Sequence, residues 1–168
     1  MHGAFLGSVW SPERIFIPSP SGRQRFNVLG AINPIDEQII TIEEDKYINA
    51  ESVCRILEKI KKEVKVQIFI FLDNAAYQKC QKVKDKAKEL NIILKYLPTY
   101  SPNLNLIERL WKFIKNQYLY SIYYEKYTDF KNTLSEGINN SYIRHSEKLK
   151  TLLSFNFQSF RNVKISTI

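Results

Sequence analysis

The chain has 168 residues, which is the size of one ordinary domain with a substantial core. It is 44% apolar, 13% aromatic and 25% charged, which argues against a disordered chain, and no apolar run reaches the roughly 18 residues of a membrane span. The mildly apolar first ten residues lack the basic start and cleavage site of a signal peptide, so we expect a cytoplasmic protein with no membrane partner.

The net charge is +8, from 25 Lys and Arg against 17 Asp and Glu. Such an excess attracts polyanions, of which nucleic acid is the commonest in a cell. A chain rich in lysine, isoleucine and tyrosine can equally reflect genome composition, so charge alone leaves DNA binding open. Cys54 and Cys80 lie in helical patterns without a partner motif, which predicts buried reduced thiols.

The first third of the chain alternates short β-rich runs with turn residues. Residues 14–17 and 25–32 are predicted strands, separated by a proline- and glycine-containing loop at 18–22. A third strand, 38–42, follows the turn at 33–36. Together they predict an antiparallel meander.

A predicted helix begins at an Asn49 cap and ends near Ile60, because its apolar residues recur at three- and four-residue spacing. Residues 66–72 are nearly all apolar, which is typical of a central strand covered on both faces. Residues 92–97 form a second strand of this type.

Between these two strands, residues 75–90 show helical periodicity, so the segment is a βαβ unit with parallel strands and a right-handed crossover. The outer face of the predicted helix is basic and carries Lys79, Lys82, Lys84, Lys86 and Lys88.

Pro102 and Asn103 open a loop that leads into a helix, and a last helix is predicted from Thr128 or Asp129. Residues 149–160 are partly apolar but show no clear element boundary. The order of elements predicts a mixed α/β domain, with an antiparallel meander followed by parallel strands flanked by helices. The inward residues are predicted to be Ile107, Leu110, Trp111, Ile114 and Tyr118 in the first helix and Phe130, Leu134 and Ile138 in the last.

Two acids, Asp73 and Glu108, are predicted at the edge of the sheet where a ligand could bind. Asp73 ends the first parallel strand and Glu108 follows the second, so both are expected at the carboxyl edge of the sheet, where open α/β sheets bind ligands. Two neighbouring carboxylates repel each other unless a proton or cation intervenes, and Mg²⁺ is a hard cation that binds oxygen. Taken singly, either acid also has a structural explanation: Asp73-Asn74 could cap a helix, and Glu108 could pair with Lys112.

The residues around both acids resemble a known family. The strand ends in Asp-Asn-Ala at Asp73, and residues 100–111 read Tyr-Ser-Pro-x-Leu-Asn-x-Ile-Glu-x-x-Trp, with 34 residues (74–107) between the acids. This arrangement resembles the DDE endonuclease domain of mariner-like bacterial insertion-sequence transposases. The similarity extends over roughly residues 3–120, because residues 21–31 also resemble the meander of that family.

The resemblance implies a ribonuclease-H-like fold and two-metal-ion cleavage and transfer of DNA strands, with Mg²⁺ or Mn²⁺ as cofactor. Asp73 and Glu108 would be the second and third acids of the catalytic triad and would hold the metal. Tyr77 stands where some relatives carry histidine and is given no catalytic role. The expected partners are DNA, as transposon ends and target, and a second copy or a full-length transposase. The expected phosphate contacts are Lys79, Lys82, Arg109, Lys112 and Lys115.

In the family, the first acid ends a strand just before the stretch that resembles residues 3–7, and here only Met1 and His2 precede it. No segment resembles the helix-turn-helix region that such transposases carry. We therefore expect residues 1–168 to be a single catalytic-domain fragment that lacks the first catalytic strand and is inactive alone. Two alternatives remain: a non-catalytic nucleic-acid-binding module, and a regulatory fragment that pairs with full-length transposase through an exposed sheet edge.

Overall fold

The computed structural model describes residues 10–16, 24–99 and 101–157. No helix in these ranges is long and apolar enough to cross a membrane. The strands are β1 (Asn27–Asn33), β2 (Gln38–Glu44), β3 (Ile68–Leu72) and β4 (Ile92–Tyr96), and the helices are α1 (Ala50–Glu63), α2 (Ala76–Lys79), α3 (Gln81–Glu89), α4 (Leu106–Tyr118), α5 (Tyr127–Asn139) and α6 (Ser141–Leu152).

Strands β1 and β2 form an antiparallel hairpin, which confirms the two predicted strands 25–32 and 38–42. The side chain of Asn33 shapes the turn: it accepts a hydrogen bond from Ile35 N at 3.1 Å and donates one to Asp36 Oδ2 at 2.7 Å. Asparagine is well suited to this position because its short amide bonds to nearby backbone and side-chain atoms.

The predicted strand at 14–17 is wrong over its described part. Residues 14–16 have no strand conformation, and Ile17 and the loop at 18–22 lie outside the described residues. Ile15 and Phe16 are both exposed, so no apolar burial favours an extended pairing there. Within the described ranges, the expected meander is therefore a two-stranded hairpin.

Strands β3 and β4 pair in parallel, with Ile68 opposite Ile92 and Leu72 opposite Tyr96, as the βαβ pattern predicts. In the described residues the two pairs of strands form separate two-stranded sheets, one antiparallel and one parallel.

The hairpin lies between two apolar clusters, because alternate residues of a strand point to opposite faces. On one face, Leu29 and Ile40 join residues from α1, α3, β3 and β4. On the other face, Val28 and Ile32 pack against α4, α5 and α6. The hairpin therefore positions the parallel strands relative to α4.

Helix α1 begins as predicted at Asn49, whose side chain accepts hydrogen bonds from Glu51 N at 2.9 Å and Ser52 N at 3.2 Å. The predicted continuous helix 75–90 is wrong, because the backbone of Cys80 is extended and divides it into α2 and α3. Cys54 is a buried free thiol, as predicted, and burial raises its pKa; Cys80 is also free but only partly buried.

The expectation that β3 is covered on both faces is also wrong for the described part of the chain. Helices α1 and α3 cover the face that carries Ile68 and Ile70. On the opposite face Phe69 and Phe71 are 54% and 66% exposed, because α4, α5 and α6 pack on the hairpin instead.

The C-terminal helices close the second cluster. Helix α5 is confirmed, with Phe130, Leu134 and Ile138 all buried. The hydroxyl of Tyr127 lies 2.7 Å from Arg25 O and 2.8 Å from Asp45 Oδ1, which ties this helix to the hairpin. Burial and the Asp45 carboxylate raise the pKa of Tyr127 to about 12.

Gly30 allows α4 to approach β1 closely. A Cβ atom at this position would lie 2.7 Å from Cζ2 of Trp111 and 3.4 Å from Cδ1 of Ile107. Such contacts force the packed indole to move, since core side chains have little free space.

We therefore expect Gly30→Ala to lower the free energy of unfolding by about 1–3 kcal/mol, the usual cost of overpacking. Thermal denaturation would show a decrease of several degrees. The double variant Gly30→Ala/Trp111→Phe is the control, because a smaller ring leaves room for the methyl group and should recover part of the loss. A Gly30→Ala variant as stable as the parent chain would contradict this account of the α4 interface.

Candidate active site

Asp73 lies immediately beyond the C-terminal end of β3 and is exposed. Its Oδ1 accepts a hydrogen bond from Ala75 N at 3.1 Å, which fixes the carboxylate in an Asx turn. The second carboxylate oxygen makes no hydrogen bond in the described part of the chain, so it remains available to a ligand.

Asn74 connects the Asp73 turn to the neighbouring strand. Its Nδ2 donates a hydrogen bond to Leu97 O at 2.5 Å, and Leu97 N donates to Leu72 O at 2.8 Å. The predicted helix cap at Asn74 is wrong, because α2 begins after Ala75 without a side-chain cap. The amide of Asn74 instead holds the ends of β3 and β4 together.

Glu108 reaches its position through a short loop. After β4 the chain passes through a 3₁₀ turn, Pro102–Leu104, and enters α4 at Leu106. Glu108 is exposed in the first turn of α4, where the helix dipole favours a carboxylate. The alternative ion pair with Lys112 does not form in the structure.

The two acids therefore follow adjacent parallel strands, one directly and one through the loop and 3₁₀ turn. Within the described ranges, neither forms an ion pair with lysine or arginine. By contrast, Glu37 pairs with Lys150, and Asp45 pairs with Lys131. Asp73 and Glu108 thus keep the open carboxylate oxygens that a cation could use.

No group of three or more His, Cys, Asp or Glu side chains that could hold a metal occurs in residues 10–16, 24–99 and 101–157. Two carboxylates nevertheless fit Mg²⁺ or Mn²⁺ chemically. Mg²⁺ is commonly held by one or two protein carboxylates, with waters and substrate phosphates completing the shell.

Tyr77, which the sequence analysis gave no catalytic role, is a neighbour of Asp73. Its half-buried hydroxyl has a raised pKa, first because of burial and second because the Asp73 carboxylate is near. Tyr77 therefore stays protonated at neutral pH. Its position, one turn after Asp73, is the signal that could have suggested proximity.

The predicted DNA contacts have different surroundings. Lys79 is exposed and lies 5.5 Å from the ring centre of Tyr96, and Lys82 pairs with Glu51 across the α1–α3 contact. The hydrogen bond to Glu51 is the main reason that the pKa of Lys82 is raised.

On α4, Lys112 and Lys115 are exposed and form no ion pair in the part of the chain that the structure describes. Arg109 differs from both, because its guanidinium bonds to three backbone carbonyls. On α3, Lys84 and Lys88 are exposed beside Asn91 and Tyr96, whereas Lys86 pairs with acids.

Solved structures with the same fold include two of a mariner transposase. The first, "Crystal structure of the catalytic domain of Mos1 mariner transposase", has a TM-score of 0.50 at 16% identity and covers 77% of this chain and 76% of that one. The second, "Crystal structure of the Mos1 mariner paired end complex with Mn", has a TM-score of 0.58 at 17% identity. It covers 95% of this chain, which spans only 53% of that chain. The mixed α/β fold is therefore the ribonuclease-H-like fold of a mariner transposase catalytic domain, as predicted.

Comparison with proteins of curated function finds no match. The family model described as "DDE superfamily endonuclease" matches residues 11–131, which is more than half of the sequence and includes both Asp73 and Glu108. The DDE endonuclease membership expected from the two acid motifs is confirmed: this chain belongs to the DDE superfamily endonucleases.

Proposed function

We propose that this chain supplies two metal-binding carboxylates, Asp73 and Glu108, for the cleavage and transfer of DNA strands in transposition. The observation that carries this proposal is the hydrogen bond from Asn74 to Leu97, because it ties the Asp73 turn to the strand that leads to Glu108. Membership of the DDE superfamily endonucleases supports the same chemistry.

The proposed cofactor is Mg²⁺ or Mn²⁺. When bound, a divalent ion would polarise a phosphoryl oxygen and favour formation of a nucleophile from water or a 3′-hydroxyl. The residues of this chain would bind and orient it: the two carboxylates as ligands, and Asn74 by holding the turn that carries Asp73. A solved relative is described as a paired end complex with Mn, which supports a divalent cation here.

The proposed partner is DNA, in the form of transposon ends and target. The net charge of +8 favours a polyanion, and Lys112 and Lys115 lie on the same helix as Glu108. Phosphate contacts from this helix would bring a DNA strand towards the carboxylates. The chain would act beside a second copy or a transposase chain.

We expect Asp73→Asn and Glu108→Gln each to weaken Mn²⁺ binding by about tenfold or more, which corresponds to ~1.4 kcal/mol or more. Each variant removes a charged oxygen ligand while keeping the side-chain size. Isothermal titration calorimetry on the folded chain would measure the affinity. Asp85→Asn is the matched control, since Asp85 is an exposed acid on α3 that accepts a hydrogen bond from Gln81 and lies outside the proposed site.

Because both acids would bind the same ion, their effects should not add. We therefore expect the double variant to bind Mn²⁺ only slightly more weakly than whichever single variant has the lower Mn²⁺ affinity. Unchanged Mn²⁺ affinity in Asp73→Asn, or an equal loss in Asp85→Asn, would refute the proposed metal site.

For catalysis, we expect the isolated chain to nick supercoiled plasmid weakly or not at all in Mg²⁺. Two carboxylates give the metal fewer protein ligands than the three that the family resemblance implies. Robust Mg²⁺-dependent nicking, abolished by Asp73→Ala, would show instead that the two carboxylates are sufficient.

For DNA binding, we expect the double variant Lys112→Ala/Lys115→Ala to have a shallower dependence on salt. The slope of log binding constant against log salt concentration should decrease in magnitude by about 1.8, because each lost phosphate contact removes about 0.9. Fluorescence anisotropy with duplex DNA in EDTA would measure the slope. Lys150→Ala is the control, because Lys150 lies on α6 and already pairs with Glu37. An unchanged slope in the double variant would remove this helix from the DNA surface.

A second candidate function, an interaction module that pairs with a transposase chain, is favoured by the outer face of β3 and β4. Phe69, Phe71 and Ile93 are exposed there. A face of this kind is normally covered by another element or chain. Size-exclusion chromatography with a catalytically complete transposase of the family would test it, and separate elution of the two chains would count against it.

A further inference from the structure

The side chain of Arg109 joins two distant parts of the chain. Its Nη1 atom donates hydrogen bonds to Leu152 O and Ser154 O, each at 3.2 Å, and its Nη2 atom donates to Asn103 O at 3.3 Å. The guanidinium carbon also lies 5.4 Å from the ring centre of Phe157. The side chain thus connects the turn before α4 with the end of α6.

The chemistry of these contacts suits arginine. Carbonyls in the last turn of a helix have no partner within the helix and carry a partial negative charge, so a cation there stabilises them. The planar guanidinium can donate to several carbonyls at fixed angles, whereas a lysine ammonium is a single point charge. The contacts span 43 and 45 residues on one side and 6 on the other.

These contacts lie beside the candidate metal ligand. Glu108 precedes Arg109 in the first turn of α4, and Asn103 belongs to the 3₁₀ turn that leads into this helix. Leu110 is fully buried in the cluster of C-terminal helices, and Trp111 fixes the hairpin side of α4 against Gly30. Arg109 supplies the corresponding constraint from the α6 side.

We propose that Arg109 is a positioning residue that holds the start of α4, and with it the Glu108 carboxylate, against the end of α6. This role depends on Glu108 being a metal ligand, as proposed above. It also makes residues 152–157 part of the support of the site. It replaces the expected role of Arg109 as a phosphate contact, because three of its N–H donors already serve backbone carbonyls.

The test compares Arg109→Met and Arg109→Lys with the parent chain by Mn²⁺ titration calorimetry, and by DNA anisotropy against salt in EDTA. We expect Arg109→Met to lower Mn²⁺ affinity about tenfold or more, as loss of a supporting residue usually does. Arg109→Lys should recover part of that affinity. Neither variant should change the salt slope of DNA binding.

Lys112→Met is the matched control, one turn further along α4. It should flatten the salt slope by about 0.9, which shows that the DNA assay detects the loss of one phosphate contact. Leu134→Ala controls for general loss of stability, because Leu134 is buried in α5 and is not a hydrogen-bond partner of Arg109. At temperatures where all variants are folded, it should bind Mn²⁺ as the parent does.

Unchanged Mn²⁺ affinity in Arg109→Met would overturn the positioning role, and so would an equal loss in Leu134→Ala. A flattened salt slope in Arg109→Met with normal Mn²⁺ affinity would restore the phosphate contact. The Asp73→Asn variant distinguishes failure of the proposed metal site from failure of the positioning role of Arg109. If Asp73→Asn lowers Mn²⁺ affinity while Arg109→Met does not, only the positioning role of Arg109 is refuted. If Asp73→Asn leaves Mn²⁺ affinity unchanged, the proposed metal site is refuted, and the positioning role with it.

Discussion

The parallel pairing of β3 with β4 is the constraint on which the candidate site depends. It brings the C-terminal ends of the two strands to one edge, where Leu97 N bonds to Leu72 O and Asn74 bonds to Leu97 O. Asp73 leaves this edge directly, and the path to Glu108 begins there. Without the pairing, nothing in the described fold would bring Asp73 and the start of the path to Glu108, 35 positions later, to the same edge.

The rest of the fold determines where α4 starts. The β1–β2 hairpin has apolar residues on both faces, so it links the cluster under the parallel strands to the cluster of C-terminal helices. Helix α4 packs on the hairpin through Trp111 and Gly30, and Arg109 connects it to α6. The position of Glu108 therefore depends on residues far from it in sequence, whereas that of Asp73 depends mainly on the strand pair.

Much of this architecture could be predicted from the sequence, because apolar periodicity and capping residues act locally. The hairpin, α1 with its Asn49 cap, the parallel strands and α5 are all confirmed. The family could be recognised from the residues around the two acids, and the family model confirms it. The convergence of those acids on one cation stays a prediction.

Other features have no local signal in the sequence. The apolar spacing of residues 75–90 continues across Cys80, so it does not reveal the extended backbone that divides α2 from α3. Helix α6 was missed because its apolar face is sparse: Tyr142 and Leu149 on that face are separated by the polar run 144–148, and the intervening apolar residue Ile143 is 82% exposed. The partners of Arg109 are backbone carbonyls, which no residue type specifies.

The most direct measurement of the central claim is paramagnetic broadening of backbone amide signals by substoichiometric Mn²⁺, recorded by NMR on the isotope-labelled chain. If one cation lies between the two carboxylates, amides around Asp73 and amides around Glu108 will broaden together, and Asp73→Asn will remove the effect from both groups. Broadening confined to one group, or persisting at Glu108 in the Asp73→Asn variant, would contradict a shared metal site.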